Sequence, residues 1–178
     1  MPYNRLCNAG SKKDGESMQD ALPSVSVVVP IYNVERYLPQ CLEALCSQTL
    51  RDLEIVAVND GSTDGSLSVL QEWARKDERI VIVDKPNSGY GASMNCGIEA
   101  ARGAYIGIVE PDDFPERDMF KRLLRMAQRH DCDLVKCNFF EHYEDRDDRI
   151  RNFADFPYGR LFDPVEQPRI VCTIPAIW

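Results

Sequence analysis

The 178-residue sequence has two histidines, no Cys-x-x-Cys pair, fewer bases than acids, and no uninterrupted apolar run near the roughly 20 residues that span a bilayer. Each shortage excludes a class of function. The histidines, His130 and His142, fall at the end of a helical stretch, where a cation suits the dipole, and beside a charged run. A Ser-His-Asp hydrolase triad therefore has little support. The seven cysteines are odd in number, and Cys41, Cys46 and Cys137 fall on apolar faces of predicted elements, so they read as reduced core residues. With 21 Lys and Arg against 29 Asp and Glu the net charge is -8, which argues against nucleic acid as a partner. The N-terminus lacks the apolar core of a secretory signal, so a cytoplasmic location is expected, with the inner face of the membrane left open. No Gly-x4-Gly-Lys-Ser/Thr run is present, which removes the P-loop class. Gly89-Tyr90-Gly91 fails as a dinucleotide fingerprint, because its third glycine position is Met94 and it follows the third strand rather than the first.

What is present is a regular alternation. Residues 1–23 are rich in Gly, Ser, Lys, Asp and Asn without periodicity and read as a disordered lead-in. From there, β-branched runs at 25–31, 53–59, 80–84, 104–109 and 133–139 predict strands of the continuous apolar kind. Apolar spacings of three and four at 35–48, 64–76, 92–101 and 115–129 predict the helices between them. The expected fold is α/β: a doubly wound, mostly parallel sheet with helices on both faces. Such sheets bind ligands outside the carboxyl ends of their strands.

Polar residues leave four of these strands: Pro30-Ile31-Tyr32-Asn33, then Asn59-Asp60-Gly61-Ser62-Thr63-Asp64-Gly65, then Lys85 to Gly91, then Glu110-Pro111-Asp112-Asp113. Taken singly, Asn33, Ser62 or Thr63, and Ser88 suit helix caps as well as they suit a site. The acidic exit is more telling, because three carboxylates within four residues repel one another unless a cation or proton relieves them. Mg²⁺ or Mn²⁺ held by one or two carboxylates, with phosphate oxygens completing the shell, fits that need; the competing reading is an acidic helix start before Pro115. Asp60 can accept a hydrogen bond from a base edge. The pattern Asp60-x-Ser62-x-Asp64-Gly65 imitates a calcium loop, but its twelfth position is Gln71 and a strand precedes it.

In order, Val-Ser-Val-Val-Val-Pro-Ile-Tyr-Asn (25–33), Val-Asn-Asp-Gly-Ser-Thr-Asp (58–64), Asn-Ser-Gly-Tyr-Gly-Ala-Ser-Met-Asn-Cys-Gly (87–97) and Glu-Pro-Asp-Asp (110–113) resemble glycosyltransferase family 2, from about Ser24 to Tyr143. The resemblance implies a GT-A fold and transfer of a sugar from a nucleoside-diphosphate-sugar donor, a UDP-sugar by preference, to an acceptor hydroxyl. The transfer would be metal-dependent and inverting, in polysaccharide or glycoconjugate synthesis. It implies that Pro30, Tyr32 and Glu35 form the first nucleotide-contacting loop, that Asp60 partners the base, and that Asn87 and Gly89 lie under the nucleotide. Asp112 would be the ribose-side acid and Asp113 the ligand of Mg²⁺ or Mn²⁺. Many relatives have Asp in place of Glu110 and Ser or Ala in place of Pro111, which separates Glu110 from the inherited roles.

The resemblance further implies a nucleotide-sugar-binding core over 24–143 and the start of an incomplete acceptor-side region over 144–178. The acceptor is an unidentified saccharide or lipid-linked species, the catalytic base is expected beyond Trp178, and peripheral membrane association is assigned to regions outside the chain. The charged run 144–151 reads as a solvated loop. A non-catalytic nucleotide-sugar-binding module remains the alternative to an enzyme, whereas a nucleotidyltransferase would need a glycine-rich basic loop after the first strand.

Overall fold

The computed structural model describes residues 22–142 and 147–150. The expected lead-in up to residue 21, and residues 143–146 and 151–178 of the acceptor-side region, lie outside the described residues. Strands β1 (Val25–Ile31), β2 (Leu53–Asp60), β3 (Ile80–Lys85) and β4 (Tyr105–Ile108) alternate with helices α1 (Leu38–Cys46), α2 (Ser66–Lys76), α3 (Tyr90–Ala100) and α4 (Met119–His130). The four strands form one parallel sheet in the order β3-β2-β1-β4, the expected doubly wound arrangement. Two crossovers carry the chain outward from β1 to β3, and the third returns it across β1 to β4. The order reverses between β1 and β4, where such sheets open a ligand crevice.

At its central strands, β1 and β2, the sheet is apolar on both faces because both are covered. Val28, Val56 and Val58 pack with Met94 and Cys96 of α3. On the opposite face Val27, Val29, Ile31, Ile55 and Ala57 are also sealed from solvent, as are Leu38, Leu42 and Leu45 of α1 and Leu70 of α2. Each such side chain contributes about 1.5–3 kcal/mol by burial, which is what fixes the register of strands lacking polar alternation.

Pro30 shapes the crevice. Val28 accepts a hydrogen bond from the Val109 N–H (3.1 Å), so the polar groups of Val28, and two residues on those of Pro30, point toward β4. Pro30 has no N–H to offer. The β1–β4 register accordingly ends at Val28↔Ile108, whereas β1 stays paired with β2 through Ile31↔Asn59. β4 is thereby free to diverge just before Glu110.

At the other end of the strands a buried polar knot ties the entry of β4 to β1 and β2. The Ser26 hydroxyl donates to Glu54 (2.6 Å) and accepts the Gly103 N–H (2.8 Å), while the Arg102 guanidinium donates to Glu54 (2.7 Å).

The prediction of a fifth strand over 133–139 is corrected. Two compact units divide between Lys121 and Arg122, and in the second, β5 (Phe139–His142) pairs antiparallel with β6 (Asp147–Ile150). The apolar run Leu134-Val135 is too short to bury a strand face, and Leu134 remains 74% exposed. Cys137, expected on an apolar face, is exposed for the same reason. Residues 147–150 of the expected solvated loop supply β6 instead.

Burial by itself would raise the pKa of Glu54, but the donors from Ser26 and Arg102 outweigh it and hold the carboxyl below its usual value of 4.5. Such a group adds stability above its unfolded pKa that is lost as pH falls toward the folded value. Glu54→Gln should therefore cost about 1–3 kcal/mol at pH 7. The gap to the wild type should narrow below pH 4.5 in urea unfolding followed across pH; a gap that does not change with pH contradicts the assignment.

Candidate functional site

The four parallel strands deliver their exits to one edge of the sheet, and side chains sew these exits together in sequence. The β1 and β2 exits are joined by reciprocal bonds. The Asn33 N–H donates to the Ser62 hydroxyl (3.1 Å), and the Asn33 side-chain carbonyl oxygen accepts the Thr63 N–H (2.8 Å). The Glu35 N–H donates to Asp64 (3.0 Å), and the Glu35 carboxylate accepts the Gly65 N–H (2.8 Å). These bonds use the residues that sequence reasoning treated as caps. No side-chain cap hydrogen bond is found at α1, α2 or α3, so the capping alternative for Asn33, Ser62 and Ser88 is corrected. Because Glu35 is engaged with the neighbouring loop, α1 starts at Leu38 rather than at Glu35.

Asp60 joins the β2 and β3 exits. It is 3% exposed. Burial would raise its pKa, but the Lys85 ammonium and the N–H groups of Ser88 and Gly89 (both 2.9 Å) outweigh it and bring it below the ordinary carboxylate value. Lys85 also donates to the Ser88 hydroxyl (2.6 Å). Gly89 takes φ 88°, which turns the chain into α3 and aims its N–H at Asp60. Gly61 takes φ 64°, and a Cβ there would lie 2.7 Å from the Asn87 backbone nitrogen, so the two loops touch where only glycine fits.

The third junction reaches β4. The Tyr90 hydroxyl, from the first turn of α3, donates to Glu110 (2.6 Å); burial first, and that bond second, push its pKa up to about 12. The Cys41 thiol of α1 donates to the Glu110 carbonyl (3.6 Å). Glu110 thus ties the crevice together rather than facing it freely.

The acids beyond Glu110 differ from Asp60. None of the ion pairs among the described residues includes Asp112 or Asp113. Asp113 is exposed; partial desolvation, and then the charge of Asp112, raise the pKa of its carboxyl, and no ion pair among the described residues includes it. Burial together with Asp113, Asp112 and Glu110 pushes the Cys41 thiol up to about 12, a second sign of concentrated negative potential. The reading of these acids as a helix start is corrected, because α4 begins at Met119 and has no acid in its first turn. Among the described residues no three His, Cys, Asp or Glu side chains converge as a ready-made metal cage.

Of the residues expected at the site, Asp60, Asn87 and Gly89 come together at the β2 and β3 exits, and Glu35 lies on the seam between the first two loops. Tyr32 is 50% exposed, and Pro30 is buried within β1. Sequence reasoning missed Lys85, together with Asn59 and Asp84, whose side chains share a 2.7 Å hydrogen bond. The available signal was register: placing β3 beside β2 sets Asn59 opposite Asp84 and Asp60 opposite Lys85.

Known proteins are similar to this chain in sequence and fold. The family model described as glycosyl transferase family 2 matches residues 26–178. The uncharacterized glycosyltransferase EpsJ of Bacillus subtilis is 42% identical over 125 residues, which is 70% of this chain and 36% of that protein. Chondroitin synthase of Escherichia coli is 39% identical over 97 residues, 54% of this chain and 14% of that one. Among solved structures, Staphylococcus aureus TarS 1-349 in complex with UDP-GlcNAc matches with a TM-score of 0.58 at 28% identity, covering 61% of this chain and 32% of its own. The mannosyltransferase PcManGT of Pyrobaculum calidifontis, in complex with GDP-Man and Mn²⁺, matches with a TM-score of 0.56 at 26% identity, covering 61% and 33%. The chain spans about a third of the length of the first curated relatives it matches. No helix among the described residues is long and apolar enough to cross a membrane. With a parallel GT-A sheet, an acidic exit from its fourth strand and a family match over most of its length, this chain belongs to glycosyltransferase family 2.

Proposed function

We propose that this chain is the donor-binding part of a metal-dependent, inverting glycosyltransferase that takes a nucleoside-diphosphate sugar. The observation that carries the reading is the contrast along one sheet edge: Asp60 is paired with Lys85 and two backbone N–H groups, whereas no ion pair among the described residues includes Asp112 or Asp113. A nucleotide sugar needs both, an acceptor for a base edge at one end and negative charge for a cation under the diphosphate at the other. The neighbours solved with UDP-GlcNAc and with GDP-Man and Mn²⁺ support the same class of donor.

In this reading Tyr32 and Glu35 border the base and Asp60 accepts from it, while Asn87 and Gly89 lie beneath the nucleotide. Pro30 keeps the crevice between β1 and β4 open. Asp112 receives a ribose hydroxyl, and Asp113 would hold Mg²⁺ or Mn²⁺. When bound, such a cation supplies charge stabilisation to the departing diphosphate. The acceptor hydroxyl oxygen bonds to the anomeric carbon from the face opposite the diphosphate, the bond from that carbon to the phosphate oxygen breaks, and the hydroxyl proton passes to a carboxylate base. No described residue takes that base role. The relative named as a chondroitin synthase supports a saccharide acceptor in polysaccharide synthesis.

UDP at about 100 times its Kd should raise Tm by about 5–10 °C with Mn²⁺, and by clearly less with chelator, in differential scanning fluorimetry. Equal shifts would remove the metal from the reading. Asp113→Ala should abolish the Mn²⁺-dependent part of the shift. Without ligand its Tm should match that of the wild type within about 2 °C at pH 7, because Asp113 is exposed and no ion pair among the described residues includes it. A fall in the ligand-free Tm would make Asp113 a structural residue.

A further inference from the structure

Lys85 closes β3 directly opposite Asp60, on the face that α3 covers. Its side chain is 11% exposed and that of Asp60 is 5% exposed, so the pair is almost fully withdrawn from water. An ionised carboxylate has about four acceptor positions, two on each oxygen. In Asp60, Oδ1 receives both the Lys85 ammonium and the Ser88 N–H, and Oδ2 receives the Gly89 N–H. Among the described residues three positions are filled and one remains, on Oδ2. The ammonium is equally committed: it contacts Asp60, the Ser88 hydroxyl at 2.6 Å and the Pro86 carbonyl at 3.5 Å, which uses its three hydrogens.

Bases differ in how many donors they present together. The uracil edge offers one ring N–H between two carbonyls. The guanine edge offers a ring N–H beside an exocyclic NH₂, a pair that matches two carboxylate oxygens at once. A carboxylate with one oxygen saturated cannot receive that pair, and the guanine donor left over would be desolvated without a partner.

We propose that Lys85 is the specificity-determining residue at the base end of the site: by holding Oδ1 of Asp60 it leaves the carboxylate one acceptor position, which selects a base presenting a single ring N–H, as uracil does, and rejects guanine. The inference rests on the reading in which Asp60 meets the base. It adds to that reading a residue that would not itself touch the ligand and a reason for preferring a uridine nucleotide. Lys85→Met opens the second position on Oδ1, so that each oxygen has one to offer and the guanine edge becomes acceptable.

Calorimetric titration of the 178-residue chain in Mn²⁺ buffer with UDP, GDP and IDP tests this. The wild type should bind UDP about tenfold or more tightly than GDP, and Lys85→Met should narrow that ratio about tenfold. A merely structural lysine would weaken both nucleotides alike and leave the ratio unchanged, which would overturn the proposal while the donor reading stood. A wild-type preference for GDP overturns it as well. IDP supplies an arm that needs no variant, because hypoxanthine keeps the ring N–H of guanine and lacks the amine. The wild type should bind IDP several-fold more tightly than GDP, and equal affinities would overturn the proposal even if Lys85→Met fails to fold. Failure of the wild type to bind all three nucleotides would instead remove the nucleotide-donor reading itself.

Discussion

The buried Asp60 carboxylate constrains everything built at the sheet edge. An ionised acid at 3% exposure is tolerated only if donors replace its water, and three converge on it. Two are backbone N–H groups from consecutive residues, so the turn after β3 must curl back over the end of β2. That curl requires the positive φ of Gly89, sets where α3 begins, and brings Asn87 against Gly61. From the first turn of α3, Tyr90 then reaches Glu110 at the exit of β4. The position of the acidic segment is thus tied, through one helix start, to the compensation of a carboxylate two strands away.

The two ends of the crevice treat charge in opposite ways. At Asp60 negative charge holds loops together, and its pKa falls despite burial; at Asp113 partial desolvation and a neighbouring acid raise it. The first arrangement ties two loops together, whereas the second leaves exposed carboxylates that no ion pair among the described residues includes. Pro30 separates the ends mechanically. By withholding an N–H from β4 it stops the pairing at Val28↔Ile108 and lets the acidic segment leave the plane of the sheet.

Several features are legible in the order of residues alone because they depend on near neighbours along the chain. The apolar runs, the helical spacings and the polar residues after each strand all follow from local chemistry, and β1 matches its predicted span of 25–31 residue for residue. The choice between cap and site stayed open for an equally physical reason. Asn33 and Ser62 have the right residue types for helix starts, but their partners lie 29 to 30 positions away on the adjoining loop, at a distance that local reasoning does not sample. The run at 133–139 failed because β propensity expresses a fit to a half-buried surface, and Leu134 finds no such surface.

The sequence by itself determined the alternation of elements, the edge where polar residues gather, and the family whose motifs those residues spell. Each depends only on the order of side chains along the chain and on the periods of helix and strand. Tertiary structure decided which of the polar residues are already engaged. Lys85 reads as the ordinary polar end of a strand until β3 lies beside β2 in register, when it becomes the counter-ion of Asp60. Asp112 and Asp113 read as one group with Glu110 until Tyr90 takes the glutamate, while no ion pair among the described residues includes the aspartates. Charge compensation is a matter of distance through space, and only the folded chain sets those distances.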